Sequence, residues 1–190
     1  MRHLNKLIVA LLLAPAAVLA GPQYTADNKM TVPEDYRTWV FLTSSLDLNY
    51  NTAATPGHHM LDNVFVNPEA YQAFLKTGAW PDKTILIKEN RMAESAGTLS
   101  KAGQFQVGVM NVEIHVKDEA RFPNGKWAFF GSFDGKAPGT LFAPTASCYS
   151  CHQAHGVVDT TFVQFYPTLM PIAKDKGTLT ADYLKEIEAK

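Results

Sequence analysis

The clearest chemistry in the sequence lies in Cys148-Tyr149-Ser150-Cys151-His152, a C-x-x-C-H motif. Thiols at this spacing can add to the two vinyl groups on one edge of a haem. The adjacent imidazole then sits under the iron as proximal ligand. The motif predicts one covalently attached haem c per chain, bound by Cys148 and Cys151 with His152 as the metal ligand. These are the only two cysteines in the chain, and the loop they would close is too small for a useful disulfide. Two rivals fit less well. A redox dithiol usually opens a helix that follows a strand. A zinc site needs a second pair of ligands, and the chain has no second Cys pair.

An electron carrier would place Met or His on the far side of the iron. Met170, in Tyr166-Pro167-Thr168-Leu169-Met170-Pro171, superficially suits that role but reads better as a core residue. His155 lies one helical turn from His152 and emerges on the same side, so it cannot cap the opposite face. His58 and His59 stand in a polar loop and read as surface residues, and His115 as structural or surface. The expectation is an open sixth position, which suits binding or transforming a small ligand.

The elements that must position this motif are mostly strands. Residues 21–35 read as a polar, irregular lead-in. Trp39 to Leu42 reads as a strand, 44–58 as a loop and Val64-Phe65-Val66 as a short strand. Asn67-Pro68-Glu69 starts a helix that Gly78 stops. After a turn at Pro81-Asp82-Lys83, Thr84 to Met92 reads as a strand, with a loop over 93–103. Gln104 to Val116 reads as a long strand whose alternation slips between Val109 and Val112, as a bulge would make it. Trp127 to Phe133 is a further strand and Cys148 to His155 a short helix. Thr180 is placed to cap a last amphipathic helix carrying Tyr183, Leu184 and Ile187. The pattern predicts a mainly β (α+β) domain: an antiparallel sheet or sandwich with peripheral helices and a C-x-x-C-H haem segment near the C-terminus.

Residues 1–20 read as a secretory signal: Arg2 and Lys6, an apolar run from Leu7 to Leu13, then Val18-Leu19-Ala20 before Gly21. One domain over 21–190 would remain, and export implies a periplasmic location. Without Arg2 and Lys6, 15 of the 17 basic residues remain against 18 acidic ones, a net charge of −3. That balance argues against nucleic acid or an anionic membrane as partner.

The residues resemble the cytochrome P460 family, which includes cytochrome c′-beta. The resemblance runs through Tyr36-Arg37-Thr38-Trp39-Val40, Val64 to Tyr71, Gly78-Ala79-Trp80-Pro81-Asp82 and Thr84-Ile85-Leu86-Ile87-Lys88-Glu89. It continues at Arg121-Phe122, at Trp127-Ala128-Phe129-Phe130, and through the late haem motif to Phe162-Val163-Gln164-Phe165-Tyr166-Pro167. Only 38 residues follow His152, whereas ordinary small cytochromes c carry the motif near the N-terminus. The resemblance implies an antiparallel β fold, a homodimer and a five-coordinate haem on His152. It also implies a lysine joined covalently to the porphyrin edge, and the matching residue is Lys88. On a strand Thr84, Leu86 and Lys88 share one face. A desolvated lysine loses its proton more readily and becomes nucleophilic, whereas a snorkelling surface lysine is the plain alternative.

In family members that oxidise hydroxylamine, the resemblance implies a carboxylate over the iron as proton acceptor. Ser147 stands where that carboxylate is expected, which leaves Asp62, Glu94 and Glu113 as substitutes. Phe65, Phe105 and Phe129 are candidates for an apolar pocket wall. The expected activity is oxidation of hydroxylamine to nitric oxide or nitrous oxide, with electrons passed to a redox partner. Two alternatives remain open: a non-catalytic nitric oxide binder resembling cytochrome c′-beta, and an electron carrier with Met170 or His58 as sixth ligand.

Overall fold

The computed structural model describes residues 21–48, 59–95 and 102–189. Six strands form one antiparallel sheet in chain order: β1 (Val40–Leu46), β2 (Met60–Val66), β3 (Ile85–Glu94), β4 (Phe105–Lys117), β5 (Trp127–Ser132) and β6 (Thr140–Leu141). Helix α1 (Pro68–Thr77) joins β2 to β3. Helices α2 (Ser147–His155), α3 (Met170–Lys176) and α4 (Ala181–Glu188) follow the sheet. The mainly β expectation holds as a single sheet, with no second sheet among the described residues.

Strand alternation divides the core. Ile85, Ile87, Ile114, Val116, Ala128 and Phe130 pack with Met30, Val32 and Tyr36 on one face. Leu42, Val66, Leu86 and Trp127 pack on the other with Phe74 of α1, Ala173 of α3 and the segment carrying Val157 to Leu169. The lead-in is irregular as expected, yet it is not a polar fringe, since Met30, Val32 and Tyr36 are buried.

Helix α1 begins after Asn67 with Pro at its first position and ends at Gly78 in the left-handed conformation. The slip in β4 is a bulge. Asn90 pairs with Asn111 and the next residue, Arg91, pairs with Val109, so Met110 is the extra residue.

Other boundaries differ from expectation. β1 runs through Ser44, Ser45 and Leu46, and β2 begins at Met60. The polar residues there belong to the ladder: Ser44 Oγ donates to Asn63 Oδ1 at 3.0 Å and Ser45 Oγ to Asp62 Oδ2 at 3.2 Å. Helix α3 was not expected. Thr180 stands at the N-cap of α4, but its hydroxyl donates to the carbonyl of Gly156 (2.9 Å) and so ties α4 to the end of α2. No helix among the described residues is long and apolar enough to cross a membrane. The expected signal at 1–20 lies outside the described residues.

Candidate haem site

Helix α2 carries Cys148, Cys151 and His152 at i, i+3 and i+4, so all three lie along one side of two turns. A tight turn follows. The chain closes on itself through Val157 N–H donating to Thr161 O (2.8 Å) and Thr161 N–H donating to Val158 O (3.0 Å). Gly156 makes this possible, because a Cβ there would lie 2.6 Å from His152 O and 2.8 Å from Thr160 Cα. The turn delivers the Thr160 carbonyl to His152 Nδ1 at 2.6 Å. With Nδ1 donating to that carbonyl, Nε2 carries the free lone pair. Phe162, Phe129 and His115 surround the ring, with centroids at 4.1, 4.7 and 4.9 Å.

His152 and Cys148 open into a cleft of about 960 Å³, including its mouth. Strand register explains its floor. Ser45 pairs with Asp62, Thr43 with Val64, Val64 with Lys88, Lys88 with Glu113, and His115 with Phe129. All these side chains line the cleft. Directly paired residues of antiparallel strands share a face, so the lining is a stripe across β1 to β5. Phe142, Phe162, Phe165 and Tyr166 close the wall.

Lys88 Nζ lies 3.1 Å from Glu113 Oε2, and both side chains are partly exposed. Glu113 Oε1 also accepts from Asn90 Nδ2 at 3.1 Å. Asp62 is buried, accepts from Ser45 through Oδ2, and leaves Oδ1 without a partner among the described residues. Burial pushes the Asp62 carboxyl above its usual range, and the nearby Lys88 partly opposes this. Burial lowers the basicity of His152, keeping its imidazole neutral as a metal ligand requires. Burial also raises the Cys148 thiol, the opposite of what an oxidoreductase dithiol needs.

The structure sorts the expected residues. Cys148, His152, Lys88, Asp62, Glu113 and Phe129 meet at one cleft. Cys151, half-buried, stands one turn along α2 from Cys148. Phe65 packs on the opposite face against Tyr36 and Phe41, and Phe105 is exposed at the start of β4, so neither forms the wall. Glu94 and Ser147 are exposed and do not line the cleft. Met170 packs against the helix-side core. His59 Nδ1 pairs with Asp47 at 2.6 Å and does not line the cleft, and His58 lies outside the described residues.

Of the two roles expected for His115, structural or surface, the structure shows the first. It is buried, stacked on Phe129 (4.0 Å, 10°), packed against Trp127 (4.4 Å), and its Nε2 meets Thr160 Oγ1 at 3.3 Å. Burial holds its pKa well below the ordinary histidine value, so it is a neutral buttress behind His152. One sequence signal pointed there: a histidine on the same strand alternation as Glu113.

Residues 33–163 match the profile of the family Cytochrome P460. This chain belongs to the cytochrome P460 family. It is therefore a haem cytochrome. No curated protein matches the chain. The cleft fits the haem of a P460 cytochrome. Its wall is aromatic, Cys148 lines it with Cys151 one turn further along α2, and one imidazole nitrogen of His152 is free while the other is held. Among the described residues no cluster of three or more His, Cys, Asp or Glu could hold a metal without such a group.

Proposed function

We propose that this P460 cytochrome is exported to the periplasm after loss of residues 1–20. In this reading Cys148 and Cys151 carry a single haem c in thioether linkage, and the protein oxidises hydroxylamine to nitric oxide or nitrous oxide. The observation carrying this reading is the asymmetry of the cleft. One imidazole, His152, presents a free Nε2, while the described lining offers no methionine and only a histidine whose Nε2 already faces Thr160. The haem would supply an iron with one open position, able to draw electrons from a nitrogen ligand and pass them to an external acceptor.

The chain's residues do the rest. His152 holds the metal in an orientation set by Thr160 O. Lys88, on the cleft floor, is the residue for the porphyrin-edge linkage that the family resemblance implies. Glu113, held by Lys88 and Asn90, takes protons as the ligand is oxidised. Assembly is expected as a homodimer, with a separate redox protein receiving the electrons. The aromatic wall favours a second reading, capture of nitric oxide without turnover.

The haem-loaded protein decides between them. Carbon monoxide should shift the spectrum of the reduced form, and hydroxylamine should drive reduction of an artificial one-electron acceptor. Glu113→Gln should slow that reduction by about 10²-fold or more while leaving carbon monoxide binding intact. Binding without hydroxylamine-dependent reduction would select the nitric oxide reading, and failure of carbon monoxide to bind would end both. An unchanged reduced spectrum in Lys88→Ala would remove the cross-link.

A further inference from the structure

Two buried oxygens at the cleft lack partners among the described residues: Oδ1 of Asp62, which lines it, and Oδ1 of Asn90, whose amide donates to the lining residue Glu113. They belong to directly paired residues of β2 and β3. Side chains of such a pair share a face, with Cβ atoms about 4.5–5.5 Å apart. The Asn90 amide cannot turn over to relieve this. Its Nδ2 already donates to Asn111 Oδ1 at 2.6 Å and to Glu113 Oε1 at 3.1 Å, so its oxygen must point elsewhere. Both are buried acceptors on paired residues with no donor among the described residues, which costs free energy unless a hydrogen is supplied between them. A carboxylic acid supplies one.

We propose that Asp62 and Asn90 form a proton-loading pair: Asp62 in its acid form donates Oδ1–H to Asn90 Oδ1 and yields that proton to an oxygen atom of a small ligand entering the cleft. This rests on the reading that the cleft receives such a ligand. In the transfer the Asp62 O–H bond breaks, an O–H bond forms on the ligand, and no electrons move. The carboxylate left behind faces Lys88 on β3, which favours the charged form, and Glu113 on β4 and Asp47 after β1, which oppose it. Ser45, half-buried and donating to Asp62 Oδ2, links the carboxyl to solvent for reloading. The cleft thus holds two carboxyls with opposite tasks, a Glu113 paired with Lys88 that accepts protons and a buried Asp62 that supplies one.

Infrared spectroscopy of the haem-loaded protein tests this without turnover. At about pH 5, where an exposed aspartate with pKa about 3.9 is mostly ionised, a protonated-carboxyl band that shifts in heavy water is expected. It should be missing from Asp62→Asn, whose amide can donate to Asn90 in the same place. In the wild-type protein the band should persist above the pH range in which an exposed aspartate, pKa about 3.9, titrates. Titration within that ordinary range, or a band that survives in a folded Asp62→Asn protein, overturns the proposal. A band behaving as expected in a protein inert towards hydroxylamine would sink the oxidation reading and leave the pair standing.

Discussion

At the scale of single residues, the site depends on what holds His152 rather than on His152 alone. The sequence points to the proposed ligand at once, because C-x-x-C-H is a local word. It does not show the Thr160 carbonyl, which acts through backbone that any residue could present, nor His115, whose partners come from β5 and from the turn after α2. Histidines are as common in loops as behind metal ligands, so type alone could not rank His115 above His58 or His59. Because it fills the space behind His152 and stacks on Phe129, truncation should leave a cavity there. His115→Ala is expected to lose about 2–4 kcal/mol, as large buried side chains do, and to broaden the haem spectrum as His152 loses its wall. His115→Phe should keep most of the packing and lose less than about 1.5 kcal/mol. Thermal unfolding of the two variants checks this, and equal losses would mean that the Thr160 contact outweighs the packing.

At the scale of elements, the haem segment works because it lies across a sheet whose near face has been left partly hollow. Lys88 was legible as facing the same way as Leu86, since a strand alternates. Which face would be roofed by the helices was not, because Ile85 and Ile87 make both faces apolar. Polar Ser44 and Ser45 fall in the stretch that reads as a loop, and Asp62 and Asn63 lie ahead of the short strand at Val64, for the same reason: a strand that lines a polar-floored cleft lacks the alternation of one packed on a core. The bulge at Met110, by contrast, was visible as a slip in period. Gly131 is another element-level device. It pairs with Glu113, and a Cβ there would lie 2.6 Å from Phe142 Cζ. Its missing side chain is therefore the space in which Phe142 closes the wall. Gly131→Val should push the ring towards the cleft and cost about 1–3 kcal/mol of stability by overpacking, near 2–4 °C in melting temperature per kcal/mol. Slower carbon monoxide association should accompany it, and a normal rate with a normal melting temperature would show that the ring has room to spare.

At the scale of the whole molecule, the face away from the cleft is closed by an irregular lead-in, and one buried carboxylate fastens it. Glu89 of β3 accepts from Tyr36 OH, from Arg37 Nε at 2.7 Å and from Arg91 Nε, and Arg91 also reaches the Val107 carbonyl at 2.7 Å on β4. One side chain thereby joins the lead-in to the sheet directly behind Lys88. Burial alone would raise the Glu89 carboxyl, but the hydrogen bonds from Arg91, Tyr36 and Arg37 outweigh it and hold the group below its usual value. A depressed folded value means stability present above the unfolded pKa, about 4.3 for Glu, and lost as pH falls through the folded one. Asp62 has the opposite sign. Its raised folded value makes stability fall as pH climbs from the unfolded pKa through the folded one. Glu89→Gln should therefore lose about 3 kcal/mol near neutrality, as breaking a buried ion pair does, and flatten the acid limb of the stability curve. Asp62→Asn should gain stability near neutrality and steepen the relative loss in acid. Denaturant midpoints at about pH 3, 5 and 7 separate the two. Parallel curves for both variants and the wild type would mean that neither carboxyl carries the linkage, and the account of what binds the lead-in to the sheet would fail with it.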